Sequence, residues 1–390
     1  MPNVFNKSWQ PDLIANEALI VLQNRLGISN RVHVGFDAER RAFNKGEYVR
    51  IRRPQAFTAT TEPSSATDLA PDEVTIQVPN HQGVRFALTD KEAAYTGPEQ
   101  TNLVIAEHVA PAAAAIAEAI ENSLWGLAFS TPYVSSYTVS SMTQDAIVDL
   151  RTQLVNNKMP AGASPNDLTL ACSPATYARF LKQSAFTQNQ GAGLEGVATQ
   201  STAQIQAKYG FGFLESQIAP TGATDGVTTV TTPTVTGAHV KGATSIVLAG
   251  ASMSGTFRKG QVFTIAGQRY AITADQAVAS NSATVSFYPP LKADVAGGAV
   301  WALVSTATGA YRADLAFHRH AMGLVMARLP DDLIRQAGVA VASIQDPQTG
   351  LAIRFRMYYD GANNKLIAAF DALWGVQMLN EALCIRGIGL

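Results

Sequence analysis

The stretch EQTNLVIAEHVAPAAAAIAEAIENSLWGLA, Glu99–Ala128, sets the reading of this chain. Ile105, Val109, Ile116, Ile120, Leu124 and Leu127 recur at helical spacing and form one apolar stripe, while Glu107, Glu118 and Glu121 mark other faces. The pattern predicts one long helix, kinked or split into two collinear pieces at Pro111. The alanine run after Pro111 suits close packing against a sheet.

On the amino-terminal side, residues from about Arg31 to Asp90 read as β-rich. Glu47–Arg52 and Val74–Val78 alternate in character and are strand candidates. Between them lies AFTATTEPSSATDLAPDE, Ala56–Glu73, with little to bury; it predicts a projecting hairpin or loop whose partner lies elsewhere. Arg50, Arg52 and Arg53, with Arg40 and Arg41 before them, form the densest basic cluster. Two readings stand: a grip on a neighbour's carboxylates, or a solvated strand face. Further back, Ile14, Ala18, Val21, Leu22 and Leu26 predict an amphipathic helix capped by Gly27, and Pro2–Pro11 reads as an extended arm.

On the carboxyl side, Thr143–Asn157 predicts a helix burying Ala146, Ile147, Leu150, Leu154 and Val155. Asp167–Cys172 reads as a buried strand, and Ser173-Pro174 opens a helix through Leu181. The loop QNQGAGLEG then leads to the aromatic segment YGFGFLESQIAP. From Thr221 to Thr308 the composition turns to Thr, Val, Ala and Gly. Strands are expected at Thr244–Leu248, Gln261–Ile265, Tyr270–Thr273, Ala283–Phe287 and Ala299–Val304, a small all-β barrel or sandwich inserted into an α/β region. After it, Ala313–Phe317 and Gly323–Ala327 read as strands. Leu351–Tyr359 and Lys365–Asp371 form a long hairpin about the turn Asp360–Asn364, and the apolar run Gly375–Ile385 closes the chain.

Composition narrows the function classes. A chain of 390 residues predicts two or three domains. Charged residues are 15% against roughly 25% in typical soluble proteins, hydrophobic residues are 47%, and the formal net charge is −1. No apolar run spans a bilayer, the first residues lack the order of a signal peptide, and Cys172 and Cys384 cannot staple a small secreted fold. The near-neutral balance excludes a protein that holds DNA mainly by its phosphates. Such a low-charge chain is suited to burying much of its surface against other subunits.

Catalytic motifs are weak. Gly191–Gly196 matches G-x-G-x-x-G, with Glu215 beyond it, but no buried strand precedes the glycines, so a loop is the better reading. His318 and His320 would share one strand face, with no third ligand to complete a metal site. Ser173 reads as a helix cap, Asp331-Asp332 as a helix start, and both cysteines as buried, inert thiols. No catalytic constellation, metal site or cofactor site assembles, so no enzyme is expected.

The order of these pieces resembles a tailed-bacteriophage major capsid (coat) protein of the Hong Kong 97-type fold. The residues that carry it run from the hairpin at about Gly46–Ala87 and the spine helix at about Glu99–Phe129 to DLTLACSPATYARFL, GFGFLESQIAP, LAFHRHAMGLVMARLP and the hairpin ending in AAFDALWGVQMLNEALCIRGIGL. The Thr-rich block is similar to the extra β-barrel domain of one subgroup. The resemblance implies an α+β fold with an N-terminal arm (1–30), an extended hairpin loop (31–90), a spine helix with P-domain (91–140), an A-domain in two parts (141–218 and 309–345) around the inserted barrel (219–308), and a P-domain hairpin with the carboxyl terminus (346–390). It further implies self-assembly into capsomers and an icosahedral virion shell, formed in the host bacterial cytoplasm, enclosing double-stranded DNA without sequence-specific contact. A separate scaffolding protein and a portal at one vertex are the expected partners, with no membrane and no cofactor. Arg50, Arg52, Arg53, Glu62, Asp68 and Asp72 are the expected inter-subunit contacts. Some relatives crosslink a hairpin lysine to an asparagine; Lys45 with Asn363 or Asn364 would be the nearest counterparts. The alternatives are an encapsulin-like compartment shell and, from another class, a glycan-binding tail or adhesion module, for which Trp301 alone makes a poor aromatic platform.

Overall fold

The structure, a computed structural model, describes residues 11–34, 48–53, 72–137, 143–160, 164–188, 194–205, 207–223, 226–227, 230–304, 310–336, 339–346 and 350–389. The fold is mixed α+β and divides into two compact units, Met1–Glu121 with Gly323–Leu379, and Asn122–Met322 with Asn380–Leu390.

In the first unit a five-stranded sheet places Met322–Ala327 beside Lys365–Met378, followed by Ala352–Asp360 and Ala340–Gln345. Asn80–Thr89 also pairs with Lys365–Met378, antiparallel from Lys365 opposite Thr89 to Trp374 opposite Asn80. The expected hairpin is present, from Arg354 opposite Asp371 to Asp360 opposite Lys365. Helix Pro11–Arg25 packs on the strands Ala340–Gln345 and Ala352–Asp360 through buried Ile14, Ala18 and Leu22. Gly27 does not supply a left-handed cap: its φ is −103°, and a 3₁₀ turn, Ile28–Arg31, follows directly.

The long helix spans Asp90–Gly126, 37 residues, starting well before Glu99. Thr89 and Glu92 explain the earlier start. The Thr89 N–H and hydroxyl donate to Glu92 Oε2 at 2.9 and 2.8 Å, and the Glu92 N–H donates to Thr89 Oγ1 at 3.3 Å. That reciprocal cap satisfies donors that the first turn leaves open. The helix runs through Pro111 as one element and is not split into two pieces there. Pro111 and Glu107 both lie on its exposed face, where the carbonyl that loses its donor can be hydrated. Val109, Ala113, Ile116, Ala117 and Ile120 are buried as the stripe requires. Each fully buried Ile contributes about 1.5–3 kcal/mol.

In the second unit a mixed sheet runs in the order Val134–Tyr137, Cys384–Gly389, Ala310–His318, Leu168–Cys172, Gly212–Glu215. Its outer pairs are parallel and its inner pairs antiparallel. Leu168, Leu170, Cys172, Ala316 and Ile385 meet Ile147, Leu150 and Leu154 of helix Gln144–Asn156 in one core with Phe180, Phe186 and Phe211. Val155 is 52% exposed, against expectation. It follows Leu154 by one residue, about 100° further round the helix and off the buried arc.

The Thr-rich block leaves the mixed sheet at Ala223 and returns at Ala310, which stands directly opposite. Its six-stranded sheet runs Trp301–Leu303, Val262–Ile265, Gln268–Ile272, Ser282–Tyr288, Ser245–Ala251, Thr231–Val235. The two end strands approach each other: Val235 N–H donates to Ala299 O at 2.9 Å, Gly298 N–H donates to Val235 O at 2.8 Å, and Thr234 bridges Val300. Alternate residues Ile246, Leu248, Val285 and Phe287 point into a core with Phe263, Tyr270 and Trp301. The unpredicted strand, Thr231–Val235, contains Pro233 and a register irregularity, the features that hide an edge strand in sequence.

Candidate functional site

The ribbon Tyr48–Arg53 with Asp72–Gln77 is a two-stranded sheet of its own. Its register sets Arg53 opposite Asp72, Arg52 opposite Glu73 and Arg50 opposite Thr75. Two of the three predicted basic positions therefore stand across from acidic positions of the same ribbon. Glu62, Asp68, Lys45, Arg40 and Arg41 lie outside the described residues, as do the side chains of Arg50, Arg52, Arg53 and Asp72. The base of the ribbon is rooted in the first unit: Ile76 and Val78 are buried with Val325 and Ala327, and Ile51 and Leu373 pack against them. At Gly375 a Cβ would collide with the carbonyl oxygen of Gln77, so only glycine lets these two backbones approach.

Beside this anchor, the hairpin carries a buried ionic cluster that the sequence reading missed. Arg354 Nη2 lies 3.0 Å from Asp371 Oδ2, and Arg356 Nε lies 2.9 Å from the same oxygen. Arg354 Nη1 also donates to the Pro330 carbonyl at 3.3 Å. Arg354 stands opposite Asp371 in the strand register, so the pair was available from the hairpin once its turn was placed. At the hairpin tip, Asn363 Nδ2 donates to Asp360 Oδ2 at 2.7 Å, and the Asn364 carbonyl accepts from the Asp90 N–H. The Asp360 carboxyl is held below the usual carboxylate range, first by the Asn363 amide.

Glu121, expected on an outer face of the long helix, is buried instead. Its carboxylate accepts the N–H groups of Gly27, Ile28 and Ser29 at 2.9, 3.0 and 2.9 Å, and the Ser29 hydroxyl at 2.8 Å. In the second unit, buried Asp314 accepts from Ser173 N–H at 2.6 Å and Thr176 Oγ1 at 2.8 Å, fixing the start of helix Pro174–Leu181. Ser173 caps that helix, as expected: Thr176 N–H donates to its Oγ.

The remaining chemical candidates resolve into structural parts. Residues Leu194–Thr202 are helical, so the second half of the glycine motif is not the expected loop. The segment before the motif includes a short helix, Ser184–Thr187, where a dinucleotide site needs a strand. His318 ends its strand and is buried, whereas His320 sits in the following turn and is exposed, so the two do not share a strand face. Their rings lie 5.2 Å apart, and no group of metal ligands assembles among the described residues. Asp331 is buried beneath Ser343 N–H, which donates to its Oδ2 at 3.1 Å, and helix Asp332–Gln336 starts next to it. Cys172 and Cys384 are buried and free. Trp301 is also buried, its indole N–H donating to Ala249 O, and offers no platform to a sugar. No helix among the described residues is long and apolar enough to cross a membrane.

No family model and no curated protein matches this chain. Solved structures do. A chain from Mycobacterium phage Che8 aligns with a TM-score of 0.49 and 11% identity, covering 92% of this chain and 89% of its own. One from the capsid of Myoviridae phage XM1 aligns at 0.46 and 10%, covering 93% and 91%. One from the virus-like particle of Pyrococcus furiosus aligns at 0.43 and 10%, covering 96% and 97%.

Proposed function

We propose that this chain is the major capsid protein of a tailed bacteriophage, a structural subunit of the Hong Kong 97-type fold carrying an inserted β-barrel. The observation that carries the reading is the ribbon. Among the described residues Tyr48–Arg53 pairs with Asp72–Gln77 and neither strand has a second ladder partner, while Ile51, Ile76 and Val78 root its base. A two-stranded ribbon is marginal by itself, and a free strand edge is a template for another chain. A neighbouring copy supplies what the ribbon lacks. Many such weak contacts then sum through multivalency into a closed, symmetric shell.

On this reading Arg50, Arg52, Arg53, Glu62, Asp68 and Asp72 form inter-subunit contacts. Arg50 is the foremost of them, because Thr75 rather than an acid stands across from it. The subunits form hexameric and pentameric capsomers around double-stranded DNA in the virion, with a scaffolding protein guiding assembly and a portal occupying one vertex. The low share of charged residues, 15%, suits surfaces that are buried against copies of the same chain.

Negative-stain microscopy and sedimentation test the proposal, with the protein expressed alone and together with its scaffolding protein. Closed shells, tubes or capsomer rings are expected, and nucleic acid rather than an enzyme cargo inside shells assembled during infection. A subunit that stays monomeric in both preparations overturns it. Enzyme cargo inside the shell would instead assign a bacterial compartment.

A further inference from the structure

Strand Ala340–Gln345 ends the sheet of the first unit. Ala352–Asp360 pairs with it on one side, and among the described residues no strand pairs with it on the other. In an antiparallel ladder a residue turns its N–H and C=O the same way, and successive residues alternate. Ser343 N–H donates to Asp331 Oδ2 at 3.1 Å, and the Val341 carbonyl accepts from Arg335 Nη2 at 3.3 Å. Val341 and Ser343 therefore face outward, leaving Ala340, Ala342 and Ile344 to face the partner strand. Asp331, Val341 and Ser343 are all buried. The outward groups are thus met by two side chains and not by another backbone. The segment that supplies them is itself held: Arg354 Nη1 donates to the Pro330 carbonyl at 3.3 Å, and Arg328 Nη2 lies 3.5 Å from Asp331 Oδ2. All of these residues belong to the first unit.

The strand has no protection of its own. Edge strands are commonly blunted by a charge, a proline or a bulge. AVASIQ, Ala340–Gln345, carries neither a charge nor a proline, and its register to Ala352–Asp360 is unbroken. A short, uncharged, β-forming segment of this kind is the sort that stacks on its own copies. Two such strands meeting edge to edge bring no like charges together, so the partner best suited to this edge is the same strand of a second copy. We propose that Asp331 and Arg335 are an edge guard, which keeps a second copy of this chain from adding its Ala340–Gln345 strand here. The guard does not rest on the capsid reading; it keeps the subunit soluble whatever the chain assembles into.

Sedimentation of the full-length subunit over a range of concentrations, without a scaffolding protein, tests the guard. The double variant Asp331→Ala, Arg335→Ala should self-associate at concentrations about tenfold lower than the parent, or lower still, because only another strand can then meet the opened groups. Microscopy should show irregular or fibrous species, which are distinct from closed shells. Val341→Pro in the same background removes an outward N–H and leaves the ladder to Ala352–Asp360 intact, so it should restore the parental curve. Asp331→Asn keeps an acceptor oxygen and should behave as the parent. A double variant that sediments as the parent, or association that survives Val341→Pro, would overturn the guard. Arg335 is exposed, so Arg335→Ala alone should fold and should move the curve in the same direction; no movement counts against the proposal even if the double variant does not fold. In the unaltered subunit, the Ser343 amide should exchange with solvent as slowly as that of Ala342, and rapid exchange at Ser343 would overturn it as well.

Discussion

Ser29 and Glu121 are 92 positions apart and joined by two hydrogen bonds, from the Ser29 N–H at 2.9 Å and from its hydroxyl at 2.8 Å. With the N–H groups of Gly27 and Ile28 on the same carboxylate, this one side chain ties the turn after the first helix to the long helix. Glu121→Ala leaves those buried donors without an acceptor and should cost about 2–4 kcal/mol. Glu121→Gln keeps the shape but turns an NH₂ group toward N–H donors, so it should recover only part of the loss. Urea unfolding of the two variants measures both, and a Glu121→Ala midpoint equal to the parent's would refute the role.

Gly260 has φ +88°, and a Cβ there would collide with Arg386 Nη1 and lie 2.6 Å from Phe129 Cδ1. Gly260→Ala therefore combines left-handed backbone strain with a clash against a buried cation. The expected destabilisation is about 2 kcal/mol or more. Gly267→Ala is the control: its φ is +77°, yet nothing lies within 4 Å of the added Cβ, so it carries the backbone cost alone. Equal losses in the two variants would show that the packing around Arg386 is loose.

Acid should weaken the second unit in two separate windows. Burial holds His318 below the ordinary histidine value of 6.5; His320 and Arg319 push it the same way, and Asp167 opposes them. The folded state therefore binds this proton less readily than the unfolded chain does. Stability from this group is unchanged above about pH 6.5 and falls as pH drops below it, until the folded pKa is passed. Asp167 is held below the ordinary aspartate value of 3.8, first by the Ser164 N–H, so its contribution persists to lower pH and is lost as pH falls through its folded pKa. In pH-dependent unfolding curves, His318→Gln should flatten the upper window only.

Neither cysteine should react in the native state. Burial pushes the Cys384 thiol up to about 12, against the lowering effects of Thr131 and Arg386, and raises Cys172 well above its ordinary value. A neutral thiol is a poor nucleophile. Ellman's reagent should give no signal from folded protein at pH 8 and two equivalents after denaturation; a fast native signal would contradict the burial of one thiol.

Much of the fold was legible wherever structure is decided locally. The hairpin across Asp360–Asn364, the strand Leu168–Cys172 and the Ser173-Pro174 helix start each carry their signal within a few residues. The Thr89–Glu92 cap was also written in the sequence; the apolar stripe, which starts later, drew attention past it. The pairing of Asn80–Thr89 with Lys365–Trp374 was not legible, because contacts between such distant segments leave no period in either one. The ionic sites escaped for a related reason. Glu121 reads as a surface residue on a helical wheel, and Arg386 falls just past the end of the apolar run Gly375–Ile385. Only a turn brought in from elsewhere in the chain makes either of them an interior group.

Strand Cys384–Gly389 lies between Val134–Tyr137 and Ala310–His318, inside the sheet and not at its rim, although both neighbours come from far earlier in the chain. A chain without these six residues leaves both neighbouring strands unpaired along one side, and the core around Ile385 stays open. The second unit is therefore a late-closing one: its sheet is complete only when the segment most distant in sequence has been threaded between strands already in place.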